Sequence, residues 1–212
     1  MSKFDNLYNN SDIRNSLCVD VPPHDFGAFD FGLELSDMNN RSIVETKMKE
    51  IDSVFSLVML TEYFDESLIL LKDLLNWDFP DIVYFKHNVM NESRRGISES
   101  VAERLNLWNN VDKIIYDHFL KKFMKSVEDY GRTRMKNEVK QLRKLIDTWK
   151  EACVERNVIA NKMGKGNPNR PYHKMTLGFQ LRPQMKRNLT CLRLTRPELP
   201  YTGLLMKRMK YL

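Results

Sequence analysis

Apolar residues follow two different spacings along the chain, and each spacing predicts its own kind of element. Residues 55–60 (FSLVML) form a continuous apolar run of strand length, which is typical of a buried parallel strand. The pattern then predicts a helix over residues 68–77 and a second short strand over residues 81–85 (DIVYF). This order of strand, helix and strand predicts an α/β fold built on a parallel sheet.

Helical spacing dominates the rest of the first 160 residues. It predicts a helix over residues 41–53, a helical region over residues 100–130 that opens with a capping box from Ser100 to Glu103, and a long amphipathic helix over residues 135–153. Gly131, which lies between the last two of these helical regions, either breaks the helical run or merely weakens it. Residues 26–35, punctuated by two glycines, favour a short strand or a packed loop.

The 212 residues suffice for one ordinary domain, which we predict in three stretches. Residues 1–25 are polar and Asn-rich and form a loosely structured lead-in. Residues 26–160 hold the predicted strands and helices. Residues 161–212 form a basic, loop-rich segment of the same domain, where prolines limit any helix to short pieces.

Charge is distributed very unevenly, with a net −9 over residues 1–100 and +15 over residues 101–212. Such asymmetry indicates a nucleic acid, an anionic membrane or an anionic ligand as partner, or simply a solvated tail. No nucleic-acid-binding motif accompanies the basic segment. The sequence also has no apolar run of about 20 residues and no signal peptide, so that the polypeptide, taken literally, stays in the cytosol. Four Asn-x-Ser/Thr sequons favour a secretory origin instead, although weakly.

Candidate chemistry follows each predicted strand. Ligands of open parallel sheets bind beyond the carboxyl ends of strands, and Glu62, Tyr63 and Asp65 come directly after the first one. An aromatic ring that covers the apolar face of a sugar, next to a carboxylate that accepts hydrogen bonds from hydroxyl groups, suits a sugar-binding site. Capping of the next helix, with Asp65 as N-cap, explains these residues as well. After the second strand, His87 is a candidate general base and Lys86 a partner for phosphate or sulfate. No group of His, Cys and carboxylate residues has the spacing of a metal site.

One longer stretch carries a family resemblance. Residues 55–88 read FSLVMLTEYFDESLILLKDLLNWDFPDIVYFKHN and resemble the corresponding block of the galactose 3-O-sulfotransferases, with its Glu-Tyr-Phe-Asp-Glu-Ser-Leu turn, Leu-rich helix and strand running into Tyr-Phe-Lys. Residues 127–139 (VEDYGRTRMKNEV) and 177–181 (LGFQL) are similar to later blocks of the same family. The likeness covers about residues 26–205.

The resemblance implies a Golgi membrane enzyme that faces the lumen. Such enzymes transfer a sulfuryl group from 3′-phosphoadenylyl sulfate (PAPS) to the 3-hydroxyl of terminal galactose on galactosylceramide or glycans. It also implies part of a P-loop-like fold. Because nothing in residues 1–54 resembles the donor's phosphosulfate loop, we expect a C-terminal portion deficient in its donor site. The alternative is a non-catalytic family member that binds galactosides or dimerises.

The resemblance also assigns roles to individual residues. It favours Glu62, Tyr63 and Asp65 as acceptor-binding residues and ranks His87 below them as a catalytic residue. On charge alone, donor phosphate contacts are predicted for Lys165, Lys174 and Arg182. Cys153 and Cys191 fall where the family carries cysteines, which implies a disulfide in an oxidising lumen, whereas Cys18 lies outside the match. The expected co-substrate is PAPS without a metal, and a homodimer through the long helices is left open.

Overall fold

The computed structural model describes residues 24–89 and 96–209. These residues divide into two compact units: 24–62 with 96–129, and 63–89 with 130–209. The sheet among the described residues has two antiparallel strands and lies in the second unit. The described chain is therefore mixed α/β and mostly helical.

The elements follow one another in a simple order. The α-helices of the described residues are α1 (Phe26–Asp30), α2 (Arg41–Val54), α3 (Phe64–Leu75), α4 (Glu99–Trp108), α5 (Asn110–Tyr130), α6 (Arg132–Cys153), α7 (Leu189–Thr195) and α8 (Glu198–Met209). The strands are β1 (Val154–Ile159) and β2 (Leu177–Leu181). Short 3₁₀-helices lie at Thr61–Tyr63, Phe79–Ile82, Ala160–Lys162 and Pro183–Met185.

The first unit packs α1, α2 and α5 around one apolar core. The buried members of this core are Ala28, Leu33, Met38, Val44, Ile51, Val111, Ile115 and Phe119. The predicted helix over residues 41–53 is confirmed as α2, which begins at an N-cap, Asn40, whose side chain accepts from the N–H of Ser42. The sequence pattern identified this helix because its apolar residues return on one face.

Two aspartates cap each other's helices where α1 meets α5. The Asp112 carboxylate accepts hydrogen bonds from the N–H groups of Gly27 at 3.1 Å and Ala28 at 2.7 Å, while the buried Asp25 carboxylate accepts from the N–H of Asp112 at 2.9 Å. Each carboxylate thus satisfies backbone donors at the other helix's N-terminus. The prediction of a strand or packed loop is wrong for residues 26–30, because these long-range caps hold a helix that local sequence does not announce, whereas residues 31–35 form a loop in which Leu33 is buried.

The two predicted parallel strands do not form in the described residues. Residues 55–60 have no regular secondary structure and pair with no strand; Phe55 keeps 49% of its surface exposed, and Leu60 alone in this run is buried. Over residues 81–85 the chain begins instead with the 3₁₀-helix Phe79–Ile82, which the side chains of Asp78 and Asp81 close in a reciprocal capping box. The prediction of two buried parallel strands is therefore wrong for both segments.

Two predictions about helix ends are also corrected, and one of the two alternatives at Gly131 is confirmed. The N-cap position of α3 is Tyr63, and Asp65 lies inside the first turn, where its carboxylate bonds to side chains instead of to the helix backbone. α4 begins at Glu99 after Ser98 without a side-chain cap, so that the predicted capping box is absent from this helix. Gly131 separates α5 from α6 at a φ of 97°, a conformation that a Cβ would strain, and it therefore breaks the helix outright.

The second unit places the long helix α6 against α3 and the sheet. The predicted helix over residues 135–153 is confirmed, and Met135, Val139 and Leu142 form its buried stripe. At its end the chain turns directly into β1, which pairs with β2 in antiparallel register, with Ile159 opposite Leu177. A small core joins the helix end to the sheet through Phe85, Cys153, Val154, Phe179, Leu181 and Cys191.

Between β1 and β2 the chain forms the loop that Gly and Pro residues predicted. Gly178 allows this loop to pack closely, because a Cβ there would lie 2.7 Å from Met163 Sδ and from Pro171 Cδ. No helix of the described residues has the length and apolarity needed to cross a bilayer. The predicted lead-in falls almost entirely outside the described residues, and Cys18 does so with it. The predicted division into three stretches stays a prediction.

Candidate functional site

Asp65 lies at the centre of a polar cluster in the second unit. Its carboxylate accepts a hydrogen bond from the Tyr84 hydroxyl at 2.8 Å and another from Nε of Arg143 at 2.6 Å. The Asp65 side chain is 12% exposed, whereas that of Arg143 is 64% exposed. α3, α6 and the irregular segment 83–89 each supply one of the three residues, so three separate parts of the chain converge on one carboxylate.

The charges in this cluster are fixed at neutral pH. Burial, and next the hydrogen bond to Asp65, raise the pKa of Tyr84 to about 12. The hydrogen bond from Arg143 to Asp65 is the main cause that raises the pKa of the guanidinium further above its ordinary range. Tyr84 therefore remains a neutral donor and Arg143 remains a cation, which together neutralise and orient the carboxylate.

A cavity of about 440 Å³ opens beside the cluster, and we call it the Asp65 cavity. Its volume falls within the range of about 300–1,000 Å³ that is usual for small-molecule sites. Its walls come from α3, the segment 83–89, α6 and both strands, and they consist of Asp65, Tyr84, Phe85, Lys86, Val89, Arg143, Ile146, Asp147, Lys150, Asn157, Leu177 and Phe179. Aromatic surface, carboxylates and cations thus face the same space.

Not all charged side chains of this cavity form ion pairs. Asp65 and Arg143 form an ion pair, but Asp147, Lys86 and Lys150 have no ion-pair partner within 4 Å among residues 24–89 and 96–209. Both Lys86 and Lys150 are exposed cations, and Asp147 is an exposed acceptor. The cavity can therefore offer a carboxylate to hydroxyl groups and ammonium groups to an anion.

The predicted acceptor-binding residues are divided between the two units. Glu62 is the last residue of the segment 24–62 of the first unit, is exposed, and accepts a hydrogen bond from the Tyr116 hydroxyl of α5. That hydrogen bond is the main cause that lowers the pKa of the Glu62 carboxyl. Tyr63 begins the second unit and is half-buried, and it is Asp65 that lines the cavity. A sugar-binding role for all three stays a prediction.

His87 and Lys86 point to different spaces although they are neighbours in sequence. Lys86 lines the Asp65 cavity, whereas His87 lines a second cavity that also borders the segment 83–89. Nε2 of His87 lies 2.9 Å from the Leu194 carbonyl, and its ring packs edge-on against Phe179 with centroids 5.2 Å apart. Because a carbonyl only accepts, Nε2 carries the proton. A catalytic role for His87 stays a prediction.

The three basic residues predicted to contact a donor phosphate do not line the Asp65 cavity. Lys165 and Lys174 are exposed in the loop between the strands. Nε of Arg182 donates to the Glu151 carbonyl at 2.9 Å, near the end of α6. This contact satisfies one of the orphan carbonyls of a helix C-terminus, and a donor-binding role for any of the three stays a prediction.

Cys153 and Cys191 lie side by side beneath the cavity. Their sulfur atoms are 1.97 Å apart, their Cα atoms are 5.3 Å apart, and both residues are fully buried. The bridge joins the end of α6 to α7 and packs with Phe85 and Phe179, which also line the cavity wall. Among the residues that the structure describes, no group of three or more His, Cys, Asp or Glu side chains could hold a metal ion.

The sequence patterns missed most of the cavity's polar residues. Arg143, Asp147 and Lys150 follow one another at steps of four and three along α6 and therefore share a face. That spacing was present in the sequence, but charged residues at helical steps are usually a solvated face, so that only the facing Asp65 and Tyr84 reveal a site. Tyr84 had no distinguishing signal, because it lies within an apolar run.

Comparison with known proteins gives a consistent result. The profile of the galactose-3-O-sulfotransferase family matches residues 2–209. Galactosylceramide sulfotransferase of Bos taurus is 35% identical over 182 residues, which cover 82% of this chain and 43% of that protein. Galactose-3-O-sulfotransferase 3 of Bos taurus is 32% identical over 199 residues, which cover 88% of this chain and 47% of that protein.

A third relative shows a similar degree of identity. Galactose-3-O-sulfotransferase 4 of Homo sapiens is 33% identical over 184 residues, which cover 78% of this chain and 37% of that protein. The chain thus spans less than half the length of each of these relatives. No solved structure matches it. Since the family profile covers nearly every residue, the chain belongs to the galactose-3-O-sulfotransferase family.

Proposed function

We propose that this chain forms the acceptor side of a sulfotransferase that transfers a sulfuryl group from PAPS to the 3-hydroxyl of a terminal galactose. The observation that carries the proposal is the family match over residues 2–209. Relatives named for galactosylceramide and for galactose support a galactose-terminated glycolipid or glycan as acceptor. The Asp65 cavity supports the assignment to the acceptor side, since it combines aromatic walls with an unpaired carboxylate.

The reaction needs little from the protein beyond position and charge. The galactose 3-hydroxyl oxygen attacks the sulfur atom, its proton passes to a base, and the bond from sulfur to the bridging phosphate oxygen breaks, which releases adenosine 3′,5′-bisphosphate. Cations stabilise the charge that grows on the leaving phosphate. In the Asp65 cavity, Lys86 and Lys150 are the cations without an ion-pair partner among the described residues, and we propose this role for them.

The same cavity suits a sugar for two further reasons. Asp147 has no ion-pair partner within 4 Å among the residues described, and it can therefore accept hydrogen bonds from two hydroxyls without breaking an existing pair. Phe179 and Tyr84 supply ring surface for the apolar face of a pyranose. Asp65, already bonded to Tyr84 and Arg143, holds this wall in place and contributes its remaining lone pairs.

The wider setting of the reaction is proposed with it. By family, we place the enzyme on the luminal side of the Golgi membrane, and we propose that its whole fold is P-loop-like. A donor site weaker than that of the longer relatives also remains part of the proposal. We leave a homodimer to measurement by analytical ultracentrifugation.

Galactoside binding tests the acceptor assignment. We expect methyl β-lactoside to bind this chain in isothermal titration calorimetry, and Asp147→Ala to weaken it about tenfold, since a charge-assisted hydrogen bond is lost. The matched control is Glu151→Ala, an exposed acidic residue one turn further along α6 that does not line the cavity. Equal weakening by both variants, or no binding by the unmodified chain, would refute the assignment.

A transfer assay tests the donor part separately. The chain is incubated with labelled PAPS and either galactosylceramide or methyl β-lactoside, and labelled product is counted. We expect lactoside binding without turnover if the donor site is deficient. Turnover by this chain would contradict the expected deficiency while leaving the acceptor assignment intact.

A further inference from the structure

A second cavity of about 440 Å³ lies in the second unit and also borders the segment 83–89. We call it the Arg196 cavity. Its walls come from that segment, from the end of α7 and from the first two turns of α8. Apart from Tyr84, the polar residues of the Arg196 cavity have no part in the roles proposed for the Asp65 cavity.

Two arginines face this cavity without a carboxylate partner. Arg193 is exposed and Arg196 is half-buried, and neither forms an ion pair within 4 Å among the described residues. Elsewhere in the same unit the arginines of α6 behave differently, since Arg134 and Arg143 each pair with carboxylates. The two guanidinium groups therefore keep their donors available on the cavity wall.

The remaining polar groups of the cavity set the balance of charge. Glu198, in the first turn of α8, is the one carboxylate that lines it, so that two cations face one anion. The Tyr201 hydroxyl and the Asn88 amide add neutral donors. This set of donors suits a small anion with several oxygen atoms, and guanidinium forks match tetrahedral oxyanions in a bidentate manner.

We propose that the Arg196 cavity binds the oxyanion of a phosphate or sulfate group, with Arg193 and Arg196 as its cationic ligands. The source of the group is either a soluble anion or the phosphomonoester headgroup of a lipid, because both present the same oxygens. This inference is independent of the acceptor role of the Asp65 cavity, since the two cavities have different cations. Only Tyr84 and Phe85 line both.

A simpler reading of the arginines predicts a different result. Both lie at the end of α7, where a cation interacts favourably with the helix carbonyls without binding any ligand. In that case added anions act on the arginines only through general screening, and every exposed basic residue of the region responds alike. The experiment therefore compares residues inside the cavity with one outside it.

The soluble arm uses inorganic phosphate and inorganic sulfate at constant ionic strength, with binding followed by calorimetry and by the arginine side-chain NH signals in NMR spectra. We expect Arg193→Gln and Arg196→Gln each to weaken binding about tenfold, as for one lost charged hydrogen-bond donor. Glu198→Gln should strengthen it, because a like charge leaves the site. Arg187→Gln, an exposed arginine outside the cavity, is the matched control and should leave binding unchanged.

The lipid arm uses vesicles of phosphatidylcholine with and without phosphatidic acid, and binding is measured by co-sedimentation of the same four variants. Binding to phosphatidic acid alone, lost in the two arginine variants, assigns the site to a lipid headgroup; binding of free phosphate or sulfate assigns it to a soluble anion. An unchanged affinity in Arg193→Gln and Arg196→Gln, an equal loss in Arg187→Gln, or no binding in either arm overturns the proposal. Exposed Arg193 gives a variant that should fold normally, and a circular dichroism spectrum checks this.

Discussion

Removal of one hydroxyl group tests the centre of the candidate site. In Tyr84→Phe the ring and its packing against Phe64, with centroids 4.8 Å apart, are retained, but the 2.8 Å hydrogen bond to Asp65 is lost. Asp65 keeps its bond from Arg143, so the carboxylate is not left without a partner. We therefore expect the variant to fold, with a free energy of unfolding lower by about 1–2 kcal/mol at neutral pH.

The stabilisation that the Tyr84 hydroxyl provides should decrease as the pH rises. Burial and the bond to Asp65 raise the pKa of Tyr84 from 10.0 to about 12. The folded protein therefore holds this proton more tightly than the unfolded chain, and the stabilisation is fully present below pH 10 and is lost as pH rises towards 12. Because Tyr84 is only half-buried and solvent screens its surroundings, we expect the loss to amount to about 1–2 kcal/mol.

Urea unfolding at about pH 8 and about pH 11, followed by circular dichroism, measures both quantities. The gap in unfolding free energy between the unmodified chain and Tyr84→Phe should narrow at the higher pH, since only the former has the tyrosine proton to lose. Tyr172→Phe is the matched control, because Tyr172 is 86% exposed in the same unit. A gap of equal size at both pH values, or a control that behaves like Tyr84→Phe, would show that folding does not raise the pKa of Tyr84.

Three further changes test the contacts that stabilise each unit by itself. Asp112→Ala removes the cap of α1 and should lower the free energy of unfolding by about 1–2 kcal/mol, whereas the exposed Asp129→Ala on the same helix should change it little; equal effects in urea unfolding would contradict the capping role. Replacing both Cys153 and Cys191 by Ser should cost about 2–4 kcal/mol. Alkylation and mass mapping of the unmodified chain should find them joined, and two free thiols would exclude the bridge. Gly178→Ala places a Cβ within 3 Å of two side chains and a backbone carbonyl, and this overpacking should lower the free energy of unfolding by about 1–3 kcal/mol, which a lower melting temperature would report.

The helices were predictable because their signal is local. α6 repeats Met135, Val139 and Leu142 on one face, and all three are buried in the structure. Such a stripe depends only on residues within a few turns of one another. Strands depend on partners that are distant in the sequence, which is why the apolar run of residues 55–60 was wrongly assigned to a parallel sheet with residues 81–85. α1 was missed for the same reason, since its cap comes from Asp112, 84 residues after Ala28.

The candidate site was predictable only in part, because it is assembled from residues that are ordinary in isolation. Asp65 and Lys86 were singled out from the turn and strand ends, and both line the Asp65 cavity. Asp147 and Lys150 were not, since charges on the exposed face of an amphipathic helix carry no mark of function until another element faces them. The sequence also gave no reason to separate Glu62 from Asp65, although the boundary between the units falls between them.

The segment 83–89 contributes side chains to both cavities. Lys86 lines the Asp65 cavity, His87 lines the Arg196 cavity, and Tyr84 lines both. Three hydrogen bonds hold the segment along its length: the Tyr84 hydroxyl donates to Asp65, His87 bonds to a carbonyl of α7, and the Val89 carbonyl accepts from the first N–H of β2. Because the hydroxyl of Tyr84 is one of these three bonds and the segment lines both cavities, this single hydroxyl bears on the chemistry of both.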